Sequence, residues 1–175
     1  MKTLATKLFL FIVLITQGTL FSSSISENTI KAVLIKRIAS FVSWPEPLEN
    51  QCNLCILNDE KFALEVSKIY KNQKIKGLNV NIISFNNGVS NPKSEKELSS
   101  CNITYIRKSS FKTPQLISFY KKPVLVISEN SEDIQEGASL TLILNKRKIS
   151  ISLNEDVFES SGLKPSYQLL KMVQK

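Results

Sequence analysis

Four short β-prone runs, residues 53–57, 79–85, 103–106 and 123–128, alternate with stretches whose apolar residues recur at helical spacing. This alternation most constrains the fold, because strands separated by helices or loops assemble into a mostly parallel sheet covered on both faces. The first helical stripe carries Ile30, Val33, Leu34, Ile38, Phe41 and Val42, with Lys31, Lys36, Arg37 and Ser40 between them. Pro45 disfavours helical backbone at Trp44, so this helix is expected to stop at Ser43 or Trp44. Phe62, Val66, Ile69 and Tyr70 predict a second helix over 60–70, and Gly77 marks the turn into the strand at 79–85. Residues 86–100 are polar and allow at most a short helix; Leu116, Ile117 and Phe119 predict another over 114–120. After Gly137 the pattern changes. Residues 140–144 and 149–153 are β-prone runs around Asn145, Lys146, Arg147 and Lys148, which predicts an antiparallel hairpin. A last helix is expected from Pro165, with Leu169, Leu170 and Val173 as its apolar face.

The first 26 residues are set aside from the fold. Lys2 and Lys7 precede an apolar run from Leu8 to Ile15, and Ser22, Ser24 and Ser26 are small residues suited to cleavage, the pattern of a secretory signal peptide. Gln17 and Gly18 interrupt the run well short of the about 20 apolar residues that span a bilayer. No cysteine follows closely enough to take a lipid. Cleavage after Ser26 leaves about 149 residues, the size of one domain, residues 27–175. Loss of Lys2 and Lys7 lowers the formal charge from +8 to +6. That surplus solubilises the surface and favours acidic partners or lipid without choosing between them. An exported chain with no arginine-rich tract and no nucleic-acid motif is not expected to bind nucleic acid.

Cys52, Cys55 and Cys101 survive cleavage. An oxidising compartment makes one disulfide and one leftover thiol the natural outcome. Cys52 and Cys55 have C-x-x-C spacing, but a reactive pair needs a helix N-terminus to lower its thiol pKa, and residues 53–57 read as a strand. A structural Cys55–Cys101 bond is therefore favoured, while a Cys52–Cys55 bond would restore the redox reading.

Catalytic signals are missing. The chain contains no histidine, which removes Ser-His-Asp and Cys-His arrangements and the commonest zinc ligand. Five glycines never approach a phosphate-cradling spacing. Ser161 with Lys164, Ser90 with Lys93, Ser109 with Lys112 and Ser118 with Lys121 all fit S-x-x-K, and four hits in a chain rich in both residues mean chance. Glu129, Glu132, Asp133 and Glu136 recur at helical spacing but lack a calcium-loop pattern, and read as a solvated acidic face near a helix N-terminus. Lys146, Arg147 and Lys148 read as a hairpin tip that discourages edge pairing. No catalytic residue, metal or cofactor is nominated.

The ordered set "IKAVLIKRIASFVSWP", "CILNDEKF", "SCNITYI", "KPVLVISEN", "IQEGASLTLILNKRKISISLN" and "SSGLKPSYQLLKMV" resembles the YfiR-type family of small periplasmic proteins over nearly all of the mature chain. The resemblance implies a Rossmann-like α/β three-layer sandwich without catalytic activity, commonly a homodimer. It further implies a repressor that holds the periplasmic sensor domain of an inner-membrane diguanylate cyclase inactive until an OmpA-like outer-membrane lipoprotein sequesters it. Cys55 and Cys101 match the family's structural disulfide. Phe41, Trp44 and Pro45 match an aromatic-tryptophan-proline signature. Trp44 reads first as a packed aromatic at a helix terminus and second as a partner hot spot, and Phe41 reads more strongly still as core; if this surface binds a partner, these three are the candidate residues. Gly137, Asn154, Gly162, Leu163 and Ser166 match a C-terminal signature. Cys52, and the absence of a further cysteine pair, depart from the better known members, which argues against redox control here. The alternative is a small-molecule-binding module serving a sensor kinase or transporter, with its ligand in the crevice at the strands' carboxyl ends.

Overall fold

The computed structural model describes residues 25–85, 92–107, 113–145 and 148–173 of the chain. Residues 1–24 of the expected signal peptide, Ser90, Ser109, Lys112, Lys146 and Arg147 lie outside them. Helix α1 (Glu27–Ser40) begins at Ser26, whose hydroxyl accepts from the Thr29 N–H, and buries Ala32, Ile35, Ile38 and Ala39. Strand β2 (Cys52–Leu57) leads into α2 (Glu60–Tyr70), capped by Asp59 and burying Phe62, Ala63, Val66 and Tyr70. A hairpin of β3 (Lys74–Ile75) and β4 (Leu78–Phe85) follows, turned by Lys76 and Gly77, both at positive φ. Helix α3 (Pro92–Ser99), β5 (Ile103–Ile106), α4 (Thr113–Ile117) and β6 (Leu125–Ser128) continue the alternation. A 3-10 turn (Ser131–Ile134) connects to β7 (Leu140–Asn145) and β8 (Lys148–Leu153).

The seven strands lie in the order β3-β4-β2-β5-β6-β7-β8. Neighbours from β4 to β7 are parallel, and the antiparallel pairs β3–β4 and β7–β8 close the two edges. This is the expected α/β fold with its C-terminal hairpin. Side-chain alternation divides the interior into two cores. Leu54, Ile56, Ile103, Tyr105, Leu125 and Ile127 meet α1 and α2 on one face. Cys55, Leu57, Ile106, Val124 and Val126 meet Leu98 of α3 and Leu116 of α4 on the other. The second, smaller core holds the disulfide between Cys55 and Cys101, with Cα atoms 5.9 Å apart. Cys52 is free and buried, and burial pushes its thiol up to about 12, the opposite of an activated redox cysteine.

Several boundaries differ from expectation, among them the helix expected over 114–120, which ends at Ile117, and the strand expected over 123–128, which starts at Leu125. Helix α1 stops at Ser40, and Val42–Ser43 forms a short strand β1. Pro45 restricts only Trp44; the earlier stop comes from pairing with β9 (Lys164–Pro165), in the register Val42 with Pro165 and Ser43 with Lys164. Pro165 accordingly lies in a strand rather than in the first turn of a helix. The last helix, α6 (Tyr167–Met172), is capped by Ser166. An unexpected helix, α5 (Glu155–Ser161), sits between Asn154, whose side chain accepts from the Val157 N–H, and Gly162 in left-handed conformation. Its single buried side chain, Phe158, is too little for a periodic signal.

Candidate partner-binding site

The short β1–β9 pair joins segments more than a hundred residues apart, and it assembles the aromatic-tryptophan-proline stretch with much of the C-terminal stretch. Phe41 caps α1, and its carbonyl accepts from the Ser166 N–H at 2.8 Å. Gly162 ends α5 at φ +72, a conformation that L side chains rarely adopt. A Cβ added there would stand 3.5 Å from Pro45 Cβ, so Pro45 lies against this cap. Leu163, next in line, is buried in the main core. Asn154 and Gly137 stand apart from this junction. The Asn154 amide donates to the Ile134 carbonyl at 2.7 Å, fastening α5 to the turn after β6. Gly137, at φ +102, has Ile117 Cδ1 2.8 Å from where a Cβ would sit, which leaves no room for a side chain.

Beyond the junction the chain runs out as a proline-flanked loop. Phe41 and Trp44 are half-buried and packed against the main core; Pro45 is exposed. The Arg37 guanidinium lies 5.8 Å from the Phe41 ring centre. Trp44 separates two hollows. One, of about 450 Å³, is bordered by Trp44, Pro45, Leu48, Asn53, Asn102 and Lys122. The other, of about 270 Å³, is bordered by Ser43, Trp44, Leu48, Lys76 and Leu78. The Trp44 indole Nε1 is buried and has no hydrogen-bond partner among the described residues. An unsatisfied buried donor carries a desolvation cost that an incoming acceptor would relieve. The floor of the larger hollow is fixed by amides at the amino ends of β2 and β5. The Asn53 N–H donates to Asn102 Oδ1 at 2.9 Å, Asn53 Nδ2 to the Ser100 carbonyl at 3.0 Å, and Lys122 Nζ to the same carbonyl at 3.1 Å.

The opposite end of the sheet is built differently. The chain leaves β2 toward β4 on one side and reaches β5 on the other, so the carboxyl ends of β2 and β5 form the crevice where sheets of this kind take ligands. Here the chain's own side chains fill it. Arg107, after β5, reaches Asp59 Oδ2 at 2.5 Å and Glu129 Oε1 at 3.3 Å. The Tyr105 hydroxyl donates to Glu129 Oε1 at 2.5 Å, and Lys31 Nζ lies 2.9 Å from Glu129 Oε2 and 2.6 Å from Glu27. Burial, reinforced by the Glu129 charge, raises the Tyr105 pKa, so the phenol remains a donor. The Arg107 guanidinium also lies 5.2 Å from the Phe62 ring centre.

This cluster corrects the solvated acidic face expected from Glu129, Glu132, Asp133 and Glu136. The Glu129 side chain is only 9% exposed, held by two cations and a phenol from other elements. Asp133 is buried, accepting from Ser128 Oγ at 2.5 Å and Asn130 Nδ2 at 3.0 Å. Glu132 and Glu136 face solvent. No group of acidic, cysteine or histidine side chains among the described residues is placed to hold a metal ion. Ser161 and Ser118, from the S-x-x-K spacings, donate to carbonyls of their own helical turns. Among the described residues no helix is long and apolar enough to cross a membrane.

Two distant signature segments thus meet at one junction, with an α/β sheet of the expected topology behind them. A family model described as YfiR/HmsC-like (DUF4154) matches residues 28–174. The chain belongs to this YfiR/HmsC-like family. The match spans every element from α1 to α6, so the β1–β9 junction and the charge cluster both lie inside the family's domain. Sequence reasoning had missed that cluster. Lys31 and Glu129, 98 residues apart, give no local sign that they will pair.

Proposed function

We propose that this YfiR/HmsC-like protein is an exported, non-catalytic regulator, carried by a signal peptide in residues 1–26. In this reading it binds the periplasmic sensor domain of a membrane diguanylate cyclase and holds that enzyme inactive, lowering cyclic di-GMP. An OmpA-like outer-membrane lipoprotein relieves the repression by competing for the repressor. The family match across residues 28–174 carries the reading. The ion cluster filling the strands' carboxyl-end crevice supports it over a small-molecule module, because the usual ligand position is already taken. Phe41, Trp44 and Pro45 form the docking face. A half-buried tryptophan with an unpartnered N–H between two hollows has the character of an interface anchor. A repressor works only if it binds the inactive sensor conformation more tightly than the active one. The test is cyclic di-GMP in a strain lacking the gene, complemented by wild type or by Trp44→Ala. Deletion should raise cyclic di-GMP and biofilm, wild type should restore it, and Trp44→Ala should restore it less well. Unchanged cyclic di-GMP on deletion would refute the reading.

A further inference from the structure

We propose that the carboxyl ends of α1 and α2, together with the β3–β4 hairpin, form a basic face that rests on an anionic lipid surface. The two helices run side by side in the same direction. Asn28 Nδ2 donates to Glu65 Oε2 at 2.6 Å, the Tyr70 hydroxyl to the Ala32 carbonyl at 2.5 Å, and Lys36 Nζ to Gln73 Oε1, at a nearly constant offset along the chain. Both carboxyl ends therefore lie at one end of the layer. Lys76 Nζ donates to the Ser40 carbonyl at 2.9 Å and fastens the hairpin turn to the end of α1. Lys36, Arg37, Lys68, Lys71, Lys74 and Lys76 gather here, all but Lys36 fully exposed.

The segments that build this end, residues 28–45 and 66–85, contain no aspartate or glutamate. Among the described residues none of the six cations is paired with a carboxylate. Glu46 shares the smaller hollow with Lys76 without pairing to it, and Glu27 and Glu60 stand at the amino ends of the two helices. Single roles account for some of the cations: Arg37 and Lys68 complement the carboxyl ends of their helices, and Lys74 and Lys76 flank a two-residue edge strand. They do not account for a whole face without counter-charge, which a surface of opposite sign would neutralise. Five of the six are lysines, compact point charges on flexible stems that suit a diffuse layer of phosphates. An acidic protein is matched better by arginine forks, and lysine is depleted from protein interfaces. Val33 and Leu64, 52% and 56% exposed, each stand one turn before a cation of this face, Arg37 and Lys68. Apolar side chains among basic ones fit a surface of headgroups over hydrocarbon. The lipid contact does not depend on the proposed repressor role.

Vesicle co-sedimentation of the exported chain tests this face. The protein should pellet with phosphatidylcholine vesicles that contain phosphatidylglycerol and stay in solution with phosphatidylcholine alone. Raising the ionic strength from about 0.05 to about 0.5 M should weaken the partition at least tenfold, because exposed charges are then screened over shorter distances. Lys68→Gln with Lys71→Gln and Lys74→Gln should weaken it by about tenfold or more. Lys96→Gln with Lys121→Gln and Lys148→Gln removes the same charge elsewhere on the surface and should leave it within about twofold of wild type. All six of these lysines are exposed, so both triple variants should unfold at the wild-type temperature, measured alongside. Inorganic phosphate at matched ionic strength should not release the protein. Equal binding to neutral vesicles, a first triple variant no weaker than the second, or release by phosphate would overturn the proposal. So would failure to pellet with the anionic vesicles at low salt, which would leave the face to an acidic protein.

Discussion

Glu129 is held by three side chains: it accepts from Lys31 of α1 and Tyr105 of β5, and it pairs with the Arg107 guanidinium just beyond β5 at 3.3 Å. At the residue scale this carboxylate is the hub of the molecule's buried polar chemistry. Removing it would leave Lys31, 3% exposed, with Glu27 as its remaining counter-ion among the described residues and would take away the Tyr105 hydroxyl's acceptor. Glu129→Ala should therefore cost about 3–5 kcal/mol in urea unfolding, the usual penalty for breaking a buried pair from one side. Combining Lys31→Met with Glu129→Gln should recover much of the loss, because neither side then presents an uncompensated charge. Equal destabilisation in the double variant would show that the cluster's worth lies in packing rather than in paired charge.

At the element scale the disulfide is the main staple. It ties Cys55, inside β2, to Cys101, two residues before β5, and so fixes neighbouring parallel strands and the end of α3 in one piece. Parallel strands depend on long crossovers, whose closure must be offset by contacts elsewhere. A bridge over 46 residues removes about 4 kcal/mol of that closure entropy from the unfolded chain. Cys55→Ser with Cys101→Ser should lower unfolding stability by about that amount, read as a reduced denaturant midpoint. Wild type treated with reductant should shift in the same direction. Cys52→Ser should leave the non-reducing peptide map unchanged, because Cys52 takes no part in the bridge.

On the scale of the whole molecule, burial leaves a signature in pH. Cys52, Tyr70, Tyr105 and Tyr120 all have pKa values raised, mainly by desolvation. Their contribution is fully present below the unfolded values, 9.0 for the thiol and 10.0 for the phenols. Above those values the unfolded chain releases protons first, so stability falls as pH rises toward the folded values. Thermal unfolding midpoints should hold up to about pH 9 and then drop, with Cys52→Ala removing the earliest part of the decline. A midpoint flat through pH 11 would contradict the burial of these four groups.

Much of this architecture is legible in the sequence, because helical stripes and alternating strands report which face of each element meets a core. The two-sided sheet, its terminal hairpin and the helix at 60–70 follow from that periodicity, and a strand at 53–57 already argues against a redox Cys52–Cys55 pair. The β1–β9 junction does not follow. Two-residue strands carry no period, and Pro165 and Val42 meet only because the folded core brings the chain ends together. The inward turn of Glu129 and Asp133 was likewise invisible, since helical spacing reports a face of the local chain but not which distant cation or hydroxyl faces it. What the sequence by itself determined is the layered sheet, through patterns that repeat every two or every 3.6 residues. What only the tertiary structure decided is where α1 stops, which acids are internal and how Trp44 is presented, because each depends on groups that proximity in space, not in the chain, sets against one another.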